Sequence, residues 1–460
     1  MKLTVENLGT IGHADIDIAP LTVFIGPNNT NKTWTAYSLY GLVQAFAQTW
    51  WQSDSEGIQF NVPFMDNITS TVARCVDYLR RTNGADKETT STEVKREELI
   101  ANVTFPFRVS LLPTGLQQLL ALRGQIPPSA IATLEVPERD LLFDADAMIV
   151  TLRRLPQAKE IALQYLKNGK PTENYRHIIQ SDDPPLLTNV LTHFVRILAF
   201  GSGGTCLALP AERISHVSWP RHFMFQPPGS GSGPSPASLF SRPVSDFTGY
   251  LEQTSFVRGP LPSRSSQVGL AELLEERILA GKVGFKGETM PRSLEFAYRD
   301  GQSIRIHAAS SLVKSLAALD LYLSGSITNR DFLVIDEPEM NAHPAAILAI
   351  SELIAMLVNC GARVVITTHS PYIVDHLKNL VEASQIKNPE ARSRIARRLR
   401  LGTEQAFLSP DKVAVYLFSG GNVTSIFDRD QRTVDWSTFS NASDELNNIY
   451  SDIIEALSTE

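Results

Sequence analysis

Between an apolar run, Leu21–Ile25, and a helix-compatible stretch, Thr33–Gln48, lies Gly26-Pro27-Asn28-Asn29-Thr30-Asn31-Lys32-Thr33. No other feature limits the possible folds of this chain as much. An apolar run that stops at a glycine is how a buried parallel strand meets a loop. A loop of this length, with Lys-Thr opening a helix, gathers backbone N–H groups into a nest for phosphate oxygens at the helix's positive end. In such a nest Lys32 reaches the terminal phosphates and the Thr33 hydroxyl holds Mg²⁺. Gly26, Asn28, Asn29, Thr30, Asn31 and Trp34 complete the expected nucleotide contacts. Asn31 stands where such loops place glycine. Asparagine is the side-chain-bearing residue that best tolerates a positive φ, so the loop can still close.

Two further strand ends carry chemistry. Phe332-Leu333-Val334-Ile335 runs into Asp336-Glu337-Pro338-Glu339, an apolar strand that delivers two adjacent carboxylates. Asp336 is expected to hold Mg²⁺ through water, and Glu337 to orient and deprotonate an attacking water. The plain alternative is an acidic strand end facing solvent, and a phosphate loop earlier in the chain argues against it. Val364-Val365-Ile366 leads in the same way to Thr367-Thr368-His369-Ser370, which places His369 to sense a γ-phosphate from the sheet edge.

Strand-like runs alternate with helix-compatible ones around these motifs, including helices expected near Ser311–Leu323 and Pro344–Val358, so a parallel α/β sheet is expected. Lys2–Asn7 and Ala14–Ile18 read as a hairpin. Residues 1–48 form the first lobe and 201–460 the second, with a flexible loop at 227–236 (PPGSGSGPSP). Residues 49–200 carry leucine-rich pieces (Leu111–Leu122, Met148–Leu166) and no phosphate or metal motif, and are expected to be a mostly helical insertion. A hydrophobic content of 43% with 20% charged residues is that of a folded chain, and a net charge of -7 rules out a general nucleic-acid glue. Three dispersed cysteines, Cys75, Cys206 and Cys360, fit reduced thiols. With no apolar run long enough to span a bilayer, a cytoplasmic location and no membrane contact are expected. The basic stretch Arg392, Arg394, Arg397, Arg398 and Arg400 fits a phosphate contact, an acidic partner or a solvated helix face equally. Residues 440–457 show apolar positions at near-helical spacing and are expected to pack on the core.

The order of these motifs, with Ser310-Ser311 before and Asn341-Ala342-His343-Pro344 after the carboxylate strand, resembles the ABC-ATPase head. More narrowly it is similar to the SMC/RecF/OLD-like branch. Leu209-Pro210-Ala211-Glu212-Arg213 and Leu408-Ser409-Pro410-Asp411-Lys412-Val413-Ala414-Val415-Tyr416 resemble elements of stand-alone ATPases of bacterial anti-phage modules of the Septu and PARIS types. The likeness spans about residues 1–45 and 200–460. It implies a P-loop NTPase that binds and hydrolyses ATP with Mg²⁺ and closes as a homodimer around two nucleotides.

Carried over by position, Ser311 with Ser310 is the signature serine for the partner's γ-phosphate, and Lys314 lies beside it. Leu312 and Val313 stand where the family has glycine, so an ordinary helix N-cap is an equal reading of the serine. Asn341 and His343 match the D-loop that crosses the dimer interface. Glu212 corresponds to a residue coupling nucleotide state to the insertion, and Arg213 to an electrostatic contributor or a salt-bridge partner. OLD-type relatives carry a Toprim nuclease after this point. The roughly 90 residues beyond His369, with Asp375, Asp411, Asp428 and Asp430, form no such acidic cluster. The resemblance therefore implies a sensor or regulator acting on a separate effector such as a nuclease, in anti-phage defence. A DNA-repair or chromosome-maintenance ATPase that clamps DNA, and a low-turnover nucleotide-binding scaffold, stand as alternatives.

Overall fold

The computed structural model describes residues 1–47, 57–61, 89–95, 107–122, 126–137, 147–154, 159–167, 170–179, 206–218, 240–257, 269–288, 290–325, 331–428, 433–434 and 448–454. β1 (Lys2–Leu8) and β2 (Ile11–Asp17) form the expected hairpin, followed by β3 (Leu21–Ile25) and α1 (Lys32–Ala47). β4 (Ile58–Asn61), β5 (Thr89–Lys95), β6 (Phe107–Leu111), α2 (Pro113–Leu120), β7 (Ile131–Val136), β8 (Ala147–Arg154), β9 (Lys159–Lys167) and β10 (Lys170–Ile179) come next.

The second lobe opens with β11 (Cys206–Leu209), α3 (Arg213–Ser218) and α4 (Arg242–Ser255). A helix over Leu270–Leu279, α5, ends in a wide π-turn and leads into β12 (Gly281–Lys286), β13 (Ser293–Tyr298) and β14 (Ser303–Arg305). α6 (Ser311–Gly325), β15 (Phe332–Asp336), α7 (Pro344–Asn359), β16 (Arg363–Thr368), α8 (Pro371–Ser384), α9 (Pro389–Ala396), β17 (Val413–Ser419) and β18 (Asn422–Ser425) follow.

The central sheet has the order β11-β15-β16-β3-β17-β18, parallel except for its last pair. β3 and β15 are buried at every residue, because helices or a second sheet cover both faces, which is why they read as continuous apolar runs. On one face α1 lies between this sheet and an antiparallel sheet of order β2-β1-β7-β6-β4, and Tyr37, Leu39 and Leu42 share one core with Leu3, Leu134 and Val365. Buried on all sides, α1 needs no polar stripe. On the other face α6, α7 and α8 close a second core with Leu333, Val364 and Ile366.

Residues 49–200 differ from the expectation of a mostly helical insertion. Among the described residues this span holds seven strands and one helix, α2. β4, β6 and β7 complete the sheet begun by β1, so this part belongs to the first lobe, and only β5 and β8–β10 form a sheet of their own. Met148–Leu166 contains two antiparallel strands, with Ala147 opposite Leu166. Its leucines misled because a short apolar run suits a strand as well as a helix, and the β-branched Ile149, Val150 and Thr151 favour the strand. The expected loop at 227–236 lies outside the described residues. Residues 448–454 are helical, but Ile449, Tyr450, Ile453 and Ile454 are exposed rather than packed on the core. Among the described residues, no helix is long and apolar enough to cross a membrane.

Candidate functional site

Parallel pairing sets the site. Asp336 lies opposite Thr367, Thr367 opposite Phe24, and Thr368 opposite Ile25, so the three motif loops leave the sheet side by side at its carboxyl edge. Open α/β sheets offer their binding crevice at this edge.

The loop after β3 is built from exceptional backbone. Gly26 has φ 148°, and a Cβ there would meet the Phe418 carbonyl oxygen at 2.1 Å, so only glycine fits. Asn29 and Asn31 adopt φ 61° and 65°, the left-handed region that asparagine enters more easily than other side-chain-bearing residues. Asn31 is more than tolerated. Its Oδ1 accepts hydrogen bonds from the Thr10 N–H (2.8 Å) and the Thr10 hydroxyl (2.7 Å), which fastens the loop to the β1–β2 turn. Lys32 turns back on the loop and donates to the carbonyls of Gly26 (3.0 Å) and Pro27 (2.6 Å) and to the Thr30 hydroxyl (3.3 Å). Burial lowers its ammonium to about 8, against the pull of the Glu337, Asp336 and Glu339 carboxylates. Asn28 is exposed, and Trp34 is half-buried against the first core.

Asp336 is held from three directions. Its Oδ1 accepts from the Thr33 hydroxyl (3.0 Å) and from the Thr367 hydroxyl, and its Oδ2 from the Tyr37 hydroxyl at 3.3 Å. Thr33 and Asp336 thus present two hard oxygens at one point, a donor pair of the kind that fits Mg²⁺.

Glu337 is the next residue, and its backbone is strained at φ 49°. Its N–H donates to the Thr367 carbonyl at 3.1 Å. Its Oε1 lies 3.1 Å from His369 Nε2, while His369 Nδ1 lies 2.9 Å from the Gly26 carbonyl. A carbonyl only accepts, so the contact to Gly26 needs the hydrogen on Nδ1, and Nε2 is the ring nitrogen that faces the carboxyl. Burial, then the neighbouring Asp336 carboxylate, raises the Glu337 carboxyl above its ordinary range, and His369 opposes the shift. The three motifs therefore meet in one chain of contacts: loop carbonyl, histidine, carboxyl.

The remaining candidates lie elsewhere. Ser310 caps α6, its hydroxyl accepting from the Val313 N–H at 3.3 Å, and Ser311 is exposed in the first turn. Lys314 donates to the His307 carbonyl at 3.4 Å. Among the described residues, neither serine hydrogen-bonds to the loop or to the carboxylates of its own chain. Asn341 is exposed at φ 62°, and the exposed His343 caps α7 by accepting from the Ala345 N–H at 3.2 Å. Glu212 is exposed, yet close enough to the Tyr37 hydroxyl to help raise its pKa. Arg213 is buried and donates to the carbonyls of Asp336 and Glu337, so it is not a salt-bridge partner in the ordinary sense.

Sequence reasoning passed over three contributors. Tyr37 and Thr367 hold Asp336, and Glu339 accepts from the Thr368 hydroxyl (2.6 Å) and the N–H groups of His369 (3.0 Å) and Ser370 (3.2 Å) at the start of α8. Tyr37 stands one helical turn beyond Thr33, which is the signal that could have pointed to it.

Residues 209–375 match a family model described as "AAA domain, putative AbiEii toxin, Type IV TA system". The fold is that of a P-loop ATPase. The matched segment runs from the end of β11 into α8 and so contains Arg213, Ser311, Asp336, Glu337, Asn341 and His369. Solved structures similar to it include the SMC head domain from Thermotoga maritima, at 9% identity over 92% of this chain and 97% of that one, with a TM-score of 0.31. An SmcHead bound to the C-winged helix domain of ScpA aligns at 11% identity over 94% and 99%, with a TM-score of 0.36. An Smc head with an extended coiled coil, bound to the C-terminal domain of ScpA derived from Pyrococcus furiosus, aligns at 11% over 98% of each chain, with a TM-score of 0.34. No curated protein matches the sequence. The sheet order, the loop geometry and the matched family all carry that fold.

Proposed function

We propose that this chain binds and hydrolyses ATP, and that ATP joins two copies into a switch read by a separate effector. The contact chain from Gly26 through His369 to Glu337, beside Lys32 and the Thr33–Asp336 pair, carries the reading. The phosphates take over Lys32 from the loop carbonyls and sit against the N–H groups at the start of α1. Thr33 and Asp336 would hold Mg²⁺, which would spread the charge of the phosphate oxygens. Glu337 accepts a proton from the attacking water as its oxygen bonds the γ-phosphorus and the bond to ADP breaks. His369 keeps the carboxyl aimed and links it to the loop.

A single copy leaves this chemistry incomplete. Ser311 and Asn341 are exposed and, among the described residues, share no hydrogen bond with their own nucleotide loop, which suits groups that complete a partner's site. The family description, which names a putative toxin of a type IV toxin–antitoxin system, favours a role in defence. A second reading, an ATPase that clamps DNA, draws on Arg394, Arg397, Arg398 and Arg400, which are exposed in and after α9. ATP-dependent retention on DNA that weakens with salt would favour it.

The test is the solution mass of the wild type and of Glu337→Gln, with and without ATP–Mg²⁺, alongside phosphate release. The expected result is an ATP-dependent dimer in both, locked in the variant, with turnover only in the wild type. Unchanged mass and no phosphate release would leave a nucleotide-binding scaffold instead.

A further inference from the structure

Arg213 opens α3 directly after β11 and is 1% exposed. A guanidinium has five N–H bonds, and here each meets an oxygen. Nε donates to the Ser315 carbonyl (2.8 Å), and Nη1 to the carbonyls of Pro210 (3.0 Å) and Asp336 (2.7 Å). Nη2 donates to the Ser315 hydroxyl (2.9 Å) and the Glu337 carbonyl (2.8 Å). No carboxylate oxygen is among the partners. The charge is balanced through space by Asp336, Glu339 and Glu337. Burying a cation is tolerated only where every donor is satisfied, and one satisfied entirely by main-chain and hydroxyl oxygens holds backbone in place.

The backbone it holds belongs to two elements with different tasks. Ser315 lies one helical turn after Ser311 on α6. Asp336 and Glu337 carry the metal-side carboxylate and the base. The Glu337 peptide is the part most in need of support, because a side-chain-bearing residue at φ 49° stays there only when its surroundings fix it. Thr367 fixes its N–H and Arg213 its carbonyl. A shift of α6 therefore pulls on the peptide that aims the base.

We infer that Arg213 is a positioning residue that ties Glu337 to α6, so that nucleotide on a second copy, pressing on Ser311 here, sets the aim of the base in this copy. This rests on the ATP-dimer reading proposed above. It makes hydrolysis at one site depend on occupancy of the other, through Arg213.

The test compares wild type, Ser315→Ala and Arg213→Lys. Lysine keeps the charge but offers three donors on a flexible stem in place of the planar fork. Steady-state turnover is measured against ATP and against protein concentration, with affinity for a fluorescent ATP analogue, solution mass with ATP, and thermal melting of each variant. The wild type is expected to turn over with positive cooperativity in ATP. Both variants should bind the analogue within about threefold of wild type and still dimerise. Arg213→Lys should lose on the order of 10–100-fold in kcat, as small misplacements of a reacting group do, together with the cooperativity. Ser315→Ala should move in the same direction by less, and it decides the matter if Arg213→Lys does not fold. A dimer-forming wild type whose cooperativity survives in the folded variants overturns the coupling alone. Lost analogue affinity with kcat unchanged also overturns it, since Arg213 would then only support the loop. A wild type that stays monomeric with ATP, or releases no phosphate, overturns the dimer reading and the inference with it.

Discussion

Nucleotide affinity should fall above pH 8, and Lys32 is the reason. In the nucleotide-free chain burial lowers this ammonium to about 8, with three loop oxygens around it and the carboxylates of Glu337, Asp336 and Glu339 resisting the shift. Phosphate pairs with the charged form and holds it protonated, so above pH 8 binding must take up a proton. The phosphates themselves finish ionising near pH 6 and contribute no slope in this range. With a site at pKa 8, the ammonium is about nine-tenths protonated at pH 7 and about one-tenth at pH 9, so affinity should fall about tenfold, or ~1.4 kcal/mol. The limiting slope above pH 9 is about one decade per pH unit. Calorimetry of ATP–Mg²⁺ binding at pH 7, 8, 9 and 9.5, in buffers of differing ionisation heat, reads both the affinity and the proton uptake. Lys32→Ala should bind weakly and show no such slope. Affinity that stays level from pH 7 to 9.5, or a decline that Lys32→Ala shares in full, would refute the argument.

Two other outcomes follow from groups around the site. Asp320, fully buried on α6, accepts from the Val283 N–H at 2.8 Å through Oδ2, leaves Oδ1 without a partner, and is raised to about 7 chiefly by burial. A carboxyl raised in the folded state contributes stability that is complete below its unfolded pKa and is lost as pH rises through 7. Asp320→Asn, which keeps an acceptor for Val283, should therefore stabilise the chain at pH 8 by on the order of 2–4 kcal/mol and give no gain at pH 4, read by denaturant melts at both values. Asn31→Gly keeps the left-handed backbone and loses the two bonds to Thr10, whereas Asn31→Ala also places a Cβ at φ 65°. Melting of the nucleotide-free forms should rank wild type above Gly and Gly above Ala, the last step being about 1 kcal/mol. Equal stability of the two variants would mean that the loop relaxes out of that conformation.

Glu337 joins a carboxyl held beside His369 to a strained peptide. Its carboxyl is raised by burial and by Asp336, and lowered in turn by His369, so the group is poised by competing fields rather than by one partner. Its backbone is fixed from both sides, by Thr367 and Arg213. Removing the side chain and loosening the peptide are different injuries. The first removes the carboxyl, and the second misdirects a carboxyl that is still present.

The sequence alone determined where the three strands end and which polar residues leave them. Gly26–Thr33, Asp336–Glu337 and His369 each follow an apolar strand, because a strand buried on both faces must be apolar throughout and can turn polar only where it leaves the sheet. Asn31 in place of glycine could be read as tolerated from its residue type. Its bonds to Thr10 could not, because they join positions 21 apart that only the packing of the hairpin against the loop brings together. Tertiary structure decided whatever depends on neighbours distant in the chain: that β4, β6 and β7 close the first lobe, that Tyr37 and Thr367 hold Asp336, and that Arg213 joins Ser315 of α6 to the Asp336 and Glu337 carbonyls. Short apolar strands such as β8 and β9 were open to a helical reading, because local pattern does not distinguish a strand from a helix until a partner supplies the hydrogen bonds. Hydrophobic period is a property of one segment. Register, burial and the matching of donors to acceptors are properties of pairs, and the fold alone makes the pairs.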